Sequence, residues 1–155
     1  MPSPKASIPK TPLGQRLSFL VGVWAMELKF PATSDTPIRG TASFRWLAKD
    51  NLLLMFSQFD KGGPPTSTSV IGGDDSTKDF FMLYSDERGV ARHMTMTLTP
   101  KTWIVRRTAP GFSQKFIGKV EATNRIIRRG WQKSFDGVHW EPDFDLIYTK
   151  RSASP

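Results

Sequence analysis

The sequence predicts an all-β protein, built as an antiparallel up-and-down barrel of about ten short strands with a short N-terminal helix. The first observation is that apolar and polar residues alternate with a period of two in short segments between Trp24 and Thr149. The second is that turns rich in Gly, Pro, Asp and Asn separate these segments, with no long helical pattern between them. Short links favour antiparallel neighbours, because a parallel crossover needs about a dozen residues or more.

The predicted strands could form a closed or an open arrangement. Ten strands in an open sheet would present two edges to which other chains could add. Closing the sheet into a barrel removes both edges, so a closed barrel is expected. A sandwich of two sheets is the alternative that the same pattern allows.

One domain is expected for a chain of 155 residues, and it spans 13–151. Residues 1–12 contain four prolines among Ser, Lys and Thr, which predicts a flexible arm, and 152–155 form a short tail. Leu13, Leu17 and Leu20 have helical spacing and predict a turn or two of helix that ends before Gly22. This helix is expected to act as a lid or plug at one end of the barrel.

The first strand is marked by Trp24, Met26, Leu28 and Phe30, which alternate with polar or small residues. The same reasoning places further strands at 42–46, 52–59, 66–71, 79–85, 90–98, 102–107, 112–120, 125–133 and 140–149. Segment 52–59 is apolar on both faces at its start. Its outer side is therefore expected to meet the helix or a partner, which suggests a homodimer contact.

The composition excludes several classes of protein. Because there are no cysteines, disulfides, thiolate catalysis and thiolate metal sites are ruled out. Two histidines cannot form a multi-histidine metal site without carboxylates, and no metal or cofactor is expected. No apolar run reaches membrane-spanning length, and the longest one lacks a signal-peptide cleavage site. A cytoplasmic protein without a membrane span is predicted.

The net charge of +8 is unevenly placed, because Glu121 is the only acidic residue between Arg88 and Arg129. Lys and Arg at solvated, outward strand positions would explain this excess. The alternative is a surface that attracts phosphates, anionic lipids or a carboxylate ligand. Since no nucleic-acid-binding motif is found, nucleic acid is not an expected partner.

The more apolar strand faces identify candidate ligand contacts, although alternation alone does not say which face is inward. A barrel of this size can hold one small ligand, and aromatic and methionine side chains form adaptable apolar walls. The same side chains could instead pack on one another as an ordinary core. The candidates are Met26, Phe44, Trp46, Met82, Tyr84, Met94, Trp103 and Tyr148.

Polar residues on the strand faces are the more informative candidates. Arg92 shares a face with Met94, and Arg107 shares one with Trp103. An arginine inside a barrel needs a partner, which a ligand carboxylate or phosphate, or an internal Tyr or Asp, would supply. His93 could bind a metal only if its own face were inward. No catalytic motif is found, and no catalytic residue is predicted.

Three features resemble the calycin superfamily, which includes lipocalins, fatty-acid-binding proteins and nitrobindins. They are Gly22-x-Trp24 on the first strand, about ten short strands, and a last strand that ends in Lys150-Arg151. The resemblance implies a lipocalin-like barrel. It also implies structural roles for these four residues, with Lys150 or Arg151 stacked on the Trp24 ring in a cation–π contact worth about 1–2 kcal/mol.

Four segments are similar, more specifically, to an uncharacterised family of lipocalin-like bacterial proteins: LSFLVGVW (17–24), IGGD (71–74), APGFSQKF (109–116) and WEPDFDL (140–146). This resemblance covers about 13–151 and implies a fold without a settled activity. Nitrobindins hold haem through a histidine of the last strand, and segment 143–151 has none. Met26-Glu27-Leu28 also stands where nitrobindins have Gly-x-Gly, so haem is not expected.

Three functional hypotheses follow from these features. The leading one is a cytoplasmic, non-enzymatic barrel that binds a small hydrophobic or amphipathic molecule, including an anionic one held by Arg92 or Arg107. The second is an isomerase- or cyclase-type enzyme in which His93 or Tyr84 acts as acid or base. The third is an interaction module that uses the basic surface.

Overall fold

The structure is a computed structural model that describes residues 13–30, 36–121 and 126–155, the last range without the side chains of 126–129. The predicted arm at 1–12 and the predicted start of a strand at Arg125 lie outside the described residues. Within those ranges the chain forms a 3₁₀ helix at Leu13–Leu20 followed by ten strands. The strands are β1 (Gly22–Lys29), β2 (Ile38–Ala48), β3 (Leu52–Phe59), β4 (Ser67–Gly73), β5 (Phe80–Asp86), β6 (Ala91–Leu98), β7 (Thr102–Arg107), β8 (Ser113–Val120), β9 (Ile126–Ser134) and β10 (Glu141–Ser152).

The ten strands form a closed antiparallel barrel, which confirms the predicted fold class. Each strand pairs with its neighbours in sequence, and β1 pairs with β10 to complete the circle. The alternative of a two-sheet sandwich is wrong, because the hydrogen-bonded ladder is continuous around the ring. Within the described part of the chain, no helix is long and apolar enough to cross a membrane.

Period-two alternation fixes the inner face of each strand. In β1, Trp24, Met26 and Leu28 are buried, whereas Glu27 and Lys29 between and beyond them are exposed. The loops have the expected turn chemistry. Asp50, between β2 and β3, has a φ of 59°, a left-handed conformation that Asp adopts more readily than most residues.

The N-terminal helix is 3₁₀ rather than α, and the burial pattern explains why. The buried residues are Gly14, Leu17 and Leu20, which recur every three residues and so share one face of a helix with three residues per turn. Leu13 packs beside Gly73 of β4, and the Arg16 guanidinium donates a hydrogen bond to the carbonyl of Leu98. The helix therefore plugs one end of the barrel, called the closed end here.

Trp24 anchors the closed end. Its indole Nε1 donates a hydrogen bond of 2.8 Å to the Leu20 carbonyl at the end of the helix. Lys150 of β10 lies over the Trp24 ring, with Nζ 5.1 Å from the ring centroid, and also donates to the Phe19 carbonyl at 2.6 Å. Arg151 is exposed. One ammonium group thus joins the helix, β1 and β10.

The outer surface is apolar on β3 and β5. Phe56 and Leu83 are 42% and 48% exposed, and both lie outside the barrel. This agrees with an outward apolar side on segment 52–59. The homodimer contact itself stays a prediction.

We expect Lys150→Met to lower the free energy of unfolding by about 1–2 kcal/mol, because it removes a charge-assisted hydrogen bond and a cation–π contact. Arg151→Met is the matched control, since Arg151 is the exposed neighbour on the same strand. Urea unfolding followed by tryptophan fluorescence measures both variants. Equal stability of the two variants would contradict the role given to Lys150.

Candidate binding site

A cavity of about 230 Å³ lies inside the barrel and reaches the end opposite the helix, called the open end here. Pro64 and Pro65 of the β3–β4 loop and Arg88 of the β5–β6 turn stand at its rim. Strands β3 to β10 supply the walls, whereas none of the lining residues belongs to β1 or β2. The space therefore lies off-centre, on the side of the barrel away from β1 and β2.

Strands β3 to β6 form the more polar wall of the cavity. Small hydroxyl side chains and methionines alternate here with one tyrosine and one arginine. The wall comprises Met55, Ser57, Phe59, Ser67, Ser69, Met82, Tyr84, Arg92 and Met94. Buried Met side chains are adaptable, so this wall can adjust its shape to a guest.

Strands β7 to β10 form an aromatic wall opposite. Phe116 is the hub of this wall: its ring centroid is 5.0 Å from that of Trp131 and 5.2 Å from that of Trp103. Tyr148 stands 5.6 Å from Trp103, and Phe144 stands 5.8 Å from Trp131. These separations are in the range for favourable tilted and edge-to-face ring pairs, so the rings form one continuous surface.

Of the two arginines that line the cavity, Arg92 is the one whose charge no described carboxylate compensates. It is half-buried on the polar wall and donates a 2.9 Å hydrogen bond to the side-chain amide oxygen of Gln114. Its guanidinium carbon also lies 5.7 Å from the ring centroid of Phe112. In the described part of the chain it forms no salt bridge. A half-buried charge with only neutral partners attracts an anion.

The charge of Arg88, at the rim of the cavity, is compensated by a carboxylate. Its guanidinium forms a 2.8 Å ion pair with Asp86, whose side chain is fully covered. The hydrogen bonds and charge of Arg88 hold the pKa of the Asp86 carboxyl well below its usual range. Asp86 also accepts a 2.8 Å hydrogen bond from the Tyr84 hydroxyl. Burial and this carboxylate raise the pKa of Tyr84 to about 12, so Tyr84 is protonated at neutral pH.

Polar side chains inside the barrel include one buried atom that has no hydrogen-bond partner among the described residues. The indole Nε1 of Trp103 is buried and makes no hydrogen bond. Ser57 and Ser69 are 5% and 3% exposed and line the cavity without a side-chain hydrogen bond to any described residue. Tyr148 is also buried on the cavity wall, and burial raises the pKa of its hydroxyl. Unpaired buried polar groups are costly, and a bound molecule could satisfy those that face the space.

The structure places six of the ten predicted ligand contacts on the cavity: Met82, Tyr84, Arg92, Met94, Trp103 and Tyr148. Met26 and Phe44 are buried on β1 and β2 but are not among the lining residues. Trp46 is half-buried against the core, and Arg107 instead donates to the Phe112 carbonyl at 3.5 Å. Whether any of the ten touches a ligand stays a prediction.

The sequence interpretation missed a second group of lining residues: Ser57, Ser67, Ser69, Gln114, Phe116, Trp131 and Phe144. The serines were missed because a polar residue in an alternating strand usually faces water. The aromatic residues of β8 to β10 carry a signal that could have identified them. Phe116 pairs with Trp131, and Trp131 pairs with Phe144, in the antiparallel register.

His93 points away from this cavity, since it is exposed and flanked by the buried Met94. It therefore does not reach the interior. In 13–30, 36–121 and 126–155, no group of three or more His, Cys, Asp or Glu side chains could hold a metal ion.

The fold resembles solved lipocalin-like barrels. Rv2717c from M. tuberculosis matches with a TM-score of 0.63 at 14% identity, over 90% of this chain and 98% of that chain. The S-type phycobiliprotein lyase CPES from Guillardia theta matches with a TM-score of 0.55 at 11% identity, over 92% and 93% of the two chains. No family model and no curated protein sequence matches this chain. At such identities the comparison establishes the lipocalin-like fold alone.

The ion pair between Arg88 and Asp86 predicts that the stability of the protein depends on pH. The pKa of the Asp86 carboxyl is lower in the folded protein than in the unfolded chain, where it is near 4. The ionised carboxylate therefore stabilises the fold above pH 4, and this stability is lost as the pH falls from 4 towards the folded pKa. We expect Asp86→Asn to weaken the fall in melting temperature between pH 5 and pH 3, measured by circular dichroism. Asp75→Asn, in the exposed β4–β5 loop, is the control and should leave that fall unchanged. The same acid profile in both variants would contradict the assignment.

Proposed function

We propose that the protein is a non-enzymatic barrel that binds one small amphipathic, anionic molecule in its cavity. The observation that carries this proposal is Arg92, a half-buried cation whose only hydrogen-bond partner among the described residues is a neutral amide. Its guanidinium lies on the wall of a space otherwise lined largely by apolar side chains. A ligand carboxylate or phosphate would accept two hydrogen bonds from such a group, while the apolar walls bury the rest of the molecule.

The size of the cavity limits the ligand. Pockets for drug-sized ligands usually have about 300–1,000 Å³, and the present space of about 230 Å³ lies below that range. A compact molecule therefore fits the resting barrel, and a long lipid would have to extend through the open end. The likeness to other lipocalin-like barrels agrees with a binding role but does not identify the ligand.

Two observations favour binding over catalysis. Tyr84 is the titratable candidate that faces the cavity, and a pKa of about 12 makes it a poor general base near neutral pH. His93, the other predicted acid or base, is exposed on the outer face. Of the two residues that the enzyme hypothesis names, Tyr84 alone reaches the cavity, and its raised pKa disfavours a role as base.

The basic surface supports a second candidate function, docking on an acidic partner. Arg106 of β7 lies directly opposite Lys115 of β8 in the antiparallel register, and Lys119 is exposed on the same strand. Like charges in opposite positions repel, and an anionic partner would relieve that repulsion. Strong salt dependence of any complex would support this candidate.

The absence of cysteine agrees with a reducing compartment, and we keep the cytoplasm as the proposed location.

Native mass spectrometry of gently purified protein is the direct test, combined with extraction of any bound small molecule. We expect a stoichiometric adduct of a few hundred daltons that the extraction recovers. Tryptophan emission should shift when the adduct is stripped, because Trp103 and Trp131 line the cavity. A bare mass from several preparations, together with no binding of any apolar acid, would overturn the proposal.

A cavity-filling variant tests where the ligand sits. Ser69→Phe adds a ring to the polar wall, and we expect it to lower the affinity for a recovered ligand by about tenfold or more. Thr68→Phe is the matched control, since residue 68 is the exposed neighbour on the same strand and faces outward. Isothermal titration calorimetry measures both affinities. Equal affinities would place the binding site outside this cavity.

A further inference from the structure

The two walls of the cavity differ in a way that selects among amphipathic anions. On the β7–β10 side, the rings of Phe116 and Trp131 lie at 32° to each other with centroids 5.0 Å apart, and Trp103, Phe144 and Tyr148 extend this surface. Planar rings offer large, rigid contact area, and a planar guest gains more from them than a flexible one. The aromatic wall therefore favours a flat apolar group.

The facing wall supplies hydrogen bonds in place of apolar contact. Ser69 of β4 pairs with Tyr84 of β5, and Tyr84 pairs with Arg92 of β6, so the three side chains follow one row across the sheet. Ser57 and Ser69 have no side-chain hydrogen bond to any described residue. A saturated hydrocarbon chain on this wall would leave those hydroxyls unpaired, at a cost in free energy.

The small volume of the cavity limits the length of the ligand. A flexible ligand also loses conformational entropy when it binds. Each rotatable bond of the ligand that becomes fixed on binding carries a cost in conformational entropy, so a fused ring system is favoured over an acyl chain with the same number of carbons.

We propose that the ligand is a planar aromatic carboxylic acid of about two fused rings, with its ring system on the aromatic wall and its carboxylate bound by Arg92. This inference rests on the proposed function and narrows its ligand class. Gln114 holds the Arg92 guanidinium from one side through its amide oxygen, which leaves the other donors of the fork available to a carboxylate.

Three commercial probes separate the contributions of ring and charge, and calorimetry of the full chain measures each affinity. The probes are 2-naphthoate, undecanoate with the same charge and carbon count, and 2-naphthalenemethanol with the same rings but no charge. We expect 2-naphthoate to bind at least about tenfold more tightly than either of the others. If undecanoate binds as tightly as 2-naphthoate, the aromatic assignment is wrong while the proposed binding function stands.

Substitutions test which residues provide the charge and the ring contributions to the affinity. Arg92→Gln should lower the affinity for 2-naphthoate by about tenfold and leave that for 2-naphthalenemethanol unchanged. Trp131→Leu should weaken both ring probes more than undecanoate. Arg106→Gln and Trp140→Leu are the controls, because Arg106 is exposed and Trp140 is 36% exposed and neither lines the cavity. A loss in the controls equal to that in the cavity variants would overturn the assignment.

The remaining outcomes distinguish the proposed binding function from the narrower inference that the ligand is an aromatic acid. A co-purified ligand that is not aromatic would overturn this inference and support the proposed function. A bare mass together with no binding of any probe would overturn both. Thermal unfolding of every variant shows that it is folded, so that a lost affinity is read as a lost contact.

Discussion

The pairing of β1 with β10 is the constraint on which the rest of the structure depends. It joins strands from opposite ends of the chain, and its contacts between residues far apart in sequence offset the entropy of closing so long a loop. Trp24 and Lys150 are partners in this register, and Lys150 also binds the Phe19 carbonyl of the plug. Once this seam is closed, no strand edge is left open, and the inner faces of ten strands converge on one interior.

That interior is divided between a closely packed part and a cavity. At the closed end, Leu17, Leu20 and Trp24 are fully buried and fill the space, as in an ordinary core. Towards the open end, the side chains leave a space of about 230 Å³, and they include Arg92, Ser57 and Ser69. Apolar residues of similar size would make a more stable core, and proteins commonly tolerate such a cost at a functional site.

The two arginines that line the cavity show how neighbouring groups decide whether a charge is compensated. Arg88 forms an ion pair with Asp86, which also holds the Tyr84 hydroxyl, so its charge is compensated and its position is fixed. Arg92 lies on the adjacent strand and contacts an amide and an aromatic ring. A bound anion gains most from the arginine that no carboxylate already holds. Of these two arginines, Arg92 is therefore the one whose charge would be available to the proposed ligand.

Alternation with a period of two and short turns were enough to predict the fold class, because short links favour antiparallel neighbours and closure of the sheet removes its edges. The same alternation predicted Arg92, Met94 and Trp103 as neighbours of an interior, because they share apolar strand faces. Which inner residues line a space and which are packed depends on contacts between strands, and the sequence pattern does not give these contacts. Met26 and Phe44 follow the same alternation as Met82 and are equally buried, yet only Met82 lines the cavity. Whether an inward serine or arginine is paired likewise depends on residues from distant strands, and alternation along one strand carries no information about them.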